Sequence, residues 1–262
     1  MLLPHEAFQQ IWQSGSFGRT ICESPQVLET FWKDVAMHPA VHNQPIRNVD
    51  GYQRRAVPLL LHGDGAAVTQ SIGSGSKSCL FLSWKSMVAK TKDTKDSHIL
   101  IGAIWSHICV STPHFSTCKS FWRVVEKSFN LMLTNSGSNG GFFGCLLFTC
   151  GDLEYLNSFH GQVRWNSAFP CALCNIPLAK ESNDQSVADL PADRWEPLPR
   201  PDEQFPLFKS LLSQMSICPD YMYSKHLGTD QRLAGSEAWI VIFCVENEGP
   251  LEQRLFKLLE EM

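Results

Sequence analysis

Residues 56–68 read A-V-P-L-L-L-H-G-D-G-A-A-V, an apolar run with one proline that leads directly into His62-Gly63-Asp64-Gly65. A short continuous apolar run closed by turn residues is the pattern of a buried strand. Such a strand would fix the Asp64 carboxylate at its end, and the flanking glycines would let a ligand approach the backbone. That is a common way to build a metal or phosphate site. Residues 142–150 (F-F-G-C-L-L-F-T-C) have the same form and run into Gly151-Asp152. The functional reading depends on these two strands lying side by side.

Between them the chain alternates apolar and polar stretches. Residues 65–78 carry Gly and Ser and read as a loop; residues 79–84 (C-L-F-L-S-W) read as a second strand. Residues 90–97 form a charged turn, and residues 98–105 (H-I-L-I-G-A-I-W) a third strand. Residues 117–133 have helical period, with Phe121, Val125, Phe129 and Met132 on one face and Trp122 flanking it. The run N-S-G-S-N-G-G at 135–141 ends that helix. The order is therefore strand, strand, strand, helix, strand, with an acid closing the first and fourth strands. This is the order of an α/β, ribonuclease-H-like mixed sheet, in which three strands form a meander and a helix crosses over. The fourth strand then pairs parallel to the first. A right-handed crossover makes that pairing natural, and sites in such sheets lie where the strand order reverses.

Outward from this core, residues 1–55 are expected to be a helical N-terminal region. Phe8, Ile11 and Trp12 share one face; Val27, Leu28, Phe31, Trp32 and Val35 share another. Ser24-Pro25 is an N-cap followed by a first helical residue, and residues 37–55 read as a connector. Residues 56–160 hold the first part of the core, with a short helix at 153–159. Residues 161–210 are an insertion containing Cys171-Ala-Leu-Cys174, and residues 211–262 complete the core and add C-terminal helices. Residues 208–215 read as helix. Residues 216–220 read as a fifth strand or its stub, weakened by Pro219. Residues 227–245 and 251–261 read as further helices.

The whole chain of 262 residues is 44% hydrophobic and 18% charged, which fits an ordinary globular core and argues against disorder. No apolar run reaches the roughly 18 residues that span a bilayer, so no membrane partner is expected. The N-terminus shows no signal-peptide pattern. Ten cysteines without a secretion signal read as reduced thiols, hence an intracellular protein, nuclear if it acts on DNA. Net charge is −4. Residues 77–127 hold eight Lys/Arg against three Asp/Glu, a local +5, whereas residues 181–262 hold seven against fifteen, a local −8. The basic middle can face a polyanion. The acidic C-terminal third weighs against tight DNA binding unless another chain, as in a homo-oligomer, supplies basic surface.

Paired carboxylates at adjacent strand ends, with a third acid from later in the chain, can hold two divalent cations about 4 Å apart. Mg²⁺ or Mn²⁺ would prefer such oxygen ligands. Asp64 and Asp152 are the first two. The third is Asp220 at the fifth strand or Glu237 on a later helix, with Asp230 behind them. Each also has an ordinary structural reading: Gly-Asp-Gly is a frequent turn, Asp152 can cap the helix after it, and Glu154 is a common first-turn acid. Cys171 and Cys174 are half of a Zn²⁺ site, with Cys218, His160 or His226 as candidates to complete it, or else free thiols. His62 and His160 lie near the key strands, but no nucleophile-elbow pattern accompanies them. There is neither a Walker A loop nor a dinucleotide fingerprint.

The stretches V-P-L-L-L-H-G-D-G, G-D-L-E-Y-L, P-C-A-L-C and D-Y-M-Y-S-K-H-L-G-T-D-Q-R-L-A-G-S, in this order, resemble a large family of uncharacterised, transposon-derived proteins abundant in dinoflagellate genomes. The resemblance covers roughly residues 1–245. That family in turn is similar to cut-and-paste transposases with an acidic triad and a Cys-x-x-Cys insertion. The resemblance implies Asp64 and Asp152 as metal ligands, Asp220 near the third position, and an ancestral metal-dependent DNA cleavage and strand transfer. Where the family reads Asp-x-Met-His, this chain has Asp220-Tyr221-Met222-Tyr223, which removes one metal or phosphate contact and points to a degenerate copy. The alternatives are a non-catalytic zinc-binding or interaction protein of the same fold, and an unrelated α/β hydrolase using Asp64 or a nearby His.

Overall fold

The computed structural model describes residues 1–42, 44–69, 77–91, 94–105, 108–110, 112, 116–134, 139–151, 155–156, 207, 210–213 and 216–219. The chain divides into two compact units, Met1–Cys218 and Pro219–Met262. The described helices, and the described strands apart from Pro219, lie in the first unit.

The N-terminal region is helical. Helix α1 (Pro4–Gln13) is followed by the short α2 (Phe17–Thr20) and by α3 (Pro25–Asp34). Ser24 stands extended at the N-cap of α3, with Pro25 opening the helix, but its side chain makes no capping hydrogen bond. The expected connector is more ordered than its sequence implies. It winds through α4 (Pro39–His42), a 3₁₀ turn (Pro45–Asn48) and α5 (Tyr52–Arg55). Two of these turns open on proline, whose fixed φ suits a first helical position.

From Ala56 the chain becomes a sheet. Its strands are β1 (Ala56–Thr69), β2 (Lys77–Ser86), β3 (Ile99–Trp105), β4 (Phe143–Gly151) and β5 (Ile217–Pro219). They lie in the order β3-β2-β1-β4-β5. β1/β2 and β2/β3 are antiparallel and β1/β4 is parallel. The four-residue helix α6 (Thr94–Ser97) precedes β3, within the stretch expected as a charged turn, and α7 (Thr117–Thr134) connects β3 to β4. The expected meander, crossover helix and parallel return strand are thus all present, in a mixed α/β sheet of five strands.

One boundary differs. Residues 65–69 and 77–78 belong to the β1/β2 hairpin instead of a loop, with Gly65 opposite Leu80 and Ala66 opposite Cys79. Gly and Ser lower strand propensity, but an antiparallel neighbour that accepts and donates every second backbone bond holds them extended all the same. Asp64 therefore lies within β1 and not at its terminus.

The core forms where α1, α3 and α7 meet the sheet. Trp32, Trp84, Trp122, Phe8, Phe129, Leu59 and Leu61 are all fully buried. On α7, Trp122 sits inside and Phe121 is only partly buried, the reverse of the arrangement expected from the helical period. α1 is tied to α7 by His5, whose backbone N–H donates to Ser128 Oγ (3.1 Å) and whose Nδ1 lies 2.8 Å from the same oxygen. The Trp32 indole N–H donates to the Ala56 carbonyl (2.9 Å), joining α3 to the start of β1. β4 is buried on both faces, as a central parallel strand must be. No helix among the described residues is long and apolar enough to cross a membrane.

Candidate functional site

The end of the β1/β4 ladder is where the two Gly-Asp pairs meet. The parallel pairs run Leu61–Thr149, His62–Cys150 and Gly63–Gly151, and the ladder stops there. The next residue of β1 is Asp64; the next residue in sequence after Gly151 is Asp152. A bulge decides this alignment. Leu59 pairs with Leu146 but Leu60 pairs with Phe148, so Leu147 is an extra residue on β4. Without it the ladder would place Gly63 opposite Cys150, since each one-residue slip moves a strand by one register position.

Gly63 and Gly151 have a reason that the sequence does not disclose. A Cβ on Gly63 would lie 2.1 Å from the Tyr155 ring, and one on Gly151 would lie 2.2 Å from it. The ring packs against both glycines, and a Cβ on Gly151 would also come within 2.4 Å of the Gly63 carbonyl oxygen, so only glycine leaves room. Tyr155 is fully buried, and its hydroxyl pairs with Thr149 Oγ1 at 3.0 Å. Burial pushes its phenol well above the usual range, with the Thr149 hydrogen bond opposing, so Tyr155 is a neutral wedge and not an acid-base group. These glycines serve a packed aromatic ring, a role separate from the open ligand approach expected for them.

Side chains alternate along a strand, so Asp64 and His62 share the sheet face opposite Tyr155. Asp64 is exposed and sits across from Phe81 of β2, itself 41% exposed. His62 is partly buried and pairs with Ser83. Its ring meets the His98 ring edge-on, with centroids 5.4 Å apart, and His98 Nδ1 lies 3.1 Å from Ser83 Oγ. Lys85, two residues beyond Ser83, pairs with Leu60 and so shares this face. Burial first, then the charges of Lys85 and His62, lower the His98 pKa to about 4. At neutral pH His98 is an uncharged hydrogen-bonding ring. The result is a polar strip made of Asp64 and His62 on β1, Ser83 and Lys85 on β2, and His98 just before β3. Its members come from two strands and the entry to a third, which is why the linear sequence singles out only His62 and Asp64. The clue available was the polar pair Ser83 and Lys85 at period two beside an otherwise apolar strand.

Cys150 neighbours His62 in the ladder, and Cys218 of β5 feels its charge. Burial, with Cys150 adding, pushes the Cys218 thiol up to about 11, so it rests protonated. Of the expected acidic ligands and the Cys-x-x-Cys pair, Asp64 is the one whose position is described. Asp152, Asp220, Glu237, Cys171 and Cys174 lie outside the described residues, as do Glu154, His160, His226 and Asp230. Among the described residues no group of three or more His, Cys, Asp or Glu side chains is arranged to hold a metal ion.

No protein-family model matches the chain, and no curated protein matches it.

Proposed function

We propose that this is a ribonuclease-H-like, transposase-derived domain whose ancestral reaction is metal-dependent cleavage and transfer of DNA phosphodiesters. One observation carries the reading: the parallel register ends on Gly63 opposite Gly151, and each glycine is followed in the chain by an aspartate. The strand order β3-β2-β1-β4-β5 with an α7 crossover is the arrangement such a domain requires.

In this reading Asp64 and Asp152 hold Mg²⁺ or Mn²⁺, with Asp220 or Glu237 as the third acid. The donor chemistry fits, since an exposed carboxylate beside a ladder end supplies the oxygen ligands that hard cations prefer. Bound divalent ions would lower the pKa of an attacking water or 3′-hydroxyl and stabilise the leaving oxygen. The chain's own contribution is positional. β1 and β4 fix the backbone around Asp64, the Tyr155 wedge keeps the two strand ends rigid, and Lys85 offers a cation to a phosphate on the same face. Cys171 and Cys174 are proposed as half of a separate Zn²⁺ site in the same fold. DNA is the proposed partner and the nucleus the proposed location. A homo-oligomer would supply basic surface that the acidic C-terminal third does not.

The test is nicking of supercoiled plasmid with Mn²⁺ as sole divalent ion, comparing the native chain with Asp64→Asn. The isosteric change leaves the strand intact and removes the charge. Loss of about 10²-fold or more in nicking rate is expected. Equal rates from both proteins, or no Mn²⁺-dependent nicking by the native chain, would count against catalysis and favour the non-catalytic reading of the same fold.

A further inference from the structure

Two cysteines, Cys109 and Cys118, lie where β3 hands over to α7. Val110 and Thr117 are clamped together: the Thr117 N–H donates to the Val110 carbonyl (2.9 Å), and the Val110 N–H donates to Thr117 Oγ1 (3.0 Å). Cys109 and Cys118 flank this clamp, one on each side. The clamp holds their two chain segments side by side, and Cys109 Sγ donates to the Trp105 carbonyl at 3.4 Å. Ser116 fixes the other end, since its carbonyl accepts from the Ser120 N–H (3.0 Å) and its hydroxyl from the Lys119 N–H (3.3 Å). Both cysteines are free and only half-buried, so a small reagent can reach them. A buried structural cysteine such as Cys145, whose thiol burial pushes up to about 12, has none of these features.

We propose that Cys109 and Cys118 are a redox-active pair that closes reversibly into a disulfide by exchange with a low-molecular-weight disulfide, stapling the end of β3 to the start of α7. The Cys109 thiolate attacks the external disulfide, forming a mixed disulfide and releasing one thiol. Cys118 then attacks the Cys109 sulfur, releasing the second thiol. The protein loses two protons and two electrons, and the external disulfide takes them up and is reduced to two thiols. Cys118 suits the second role. Burial, and then Cys109, push its thiol up to about 11, which makes it slow toward external reagents. The Val110–Thr117 clamp nevertheless holds it beside Cys109 for the intramolecular step. The closed form joins the residues just outside the Val110–Thr117 clamp, which already holds the two segments together, so little backbone movement is needed.

The experiment uses the full chain equilibrated in glutathione disulfide, quenched with acid and digested with trypsin. Residues 96–119 contain no internal Lys or Arg and hold Cys109 and Cys118 as their only cysteines. The expected result is this peptide two hydrogen masses lighter, restored by dithiothreitol, with the oxidised chain melting about 5 °C or more above the reduced one. Cys118→Ser should trap glutathione on Cys109. Finding this peptide unchanged while other cysteines link, or finding it only doubly glutathionylated, would overturn the proposal. The mapping on the native chain needs no variant, so it decides the matter even if a substitution impairs folding.

Discussion

At the scale of single residues, what a side chain touches sets the cost of replacing it. Gly63 and Gly151 are held by the Tyr155 ring, so Gly63→Ala must displace a buried aromatic. Overpacking of that kind costs about 1–3 kcal/mol, read as a lower midpoint in urea. The cost should largely vanish in a Tyr155→Leu background, because the clashing atoms are gone. An additive double mutant would remove Tyr155 as the cause. His98 is a second case. Its pKa falls from the ordinary 6.5 to about 4 in the folded chain. Between those values the unfolded chain binds the proton and the folded chain does not. The contribution of His98 to stability is therefore full above pH 6.5 and is lost as pH falls toward 4. NMR titration should find the His98 ring neutral at about pH 5.5, and His98→Asn should flatten the fall in stability across that window.

At the scale of elements, Trp32 and Trp84 are both fully buried, but only one carries a bond between elements. The Trp32 indole N–H ties α3 to the Ala56 carbonyl, whereas the Trp84 indole nitrogen has no partner among the described residues. Trp32→Phe should cost about 1–2 kcal/mol more than Trp84→Phe, because it also leaves a buried carbonyl unpaired. Equal costs in thermal denaturation would show that the α3–β1 bond contributes nothing. α7 lies on β4 through Met132 above Gly144, where a Cβ would come within 2.1 Å of the Met132 sulfur. The long apolar runs and the helical period identified these elements well. The limits of β1 and the inward turn of Trp122 were not visible, because a hydrogen-bonded neighbour and a packed sheet decided them, not the residues' own preferences.

At the scale of the whole molecule, the β1/β2 hairpin joins near neighbours, whereas the β1/β4 ladder joins residues separated by the whole of β2, β3 and α7. Loop-closure entropy makes the second pairing the later event. Leu82→Ala in β2 should therefore slow folding, and Leu146→Ala in β4 should mainly speed unfolding. Each should destabilise by about 2–5 kcal/mol, with chevron analysis separating the two rates. Sequence alone determined the apolar runs, their order of three strands, a helix and a strand, and the two Gly-Asp pairs that follow two of those apolar runs. These are matters of local composition and period. Tertiary structure decided that the Leu147 bulge brings Gly63 opposite Gly151. It also decided that Tyr155 claims both glycines, and that His62, Ser83 and His98 meet across β1, β2 and the entry to β3. Those outcomes depend on pairing between distant segments, where one residue of register changes every neighbour and no local propensity records the choice.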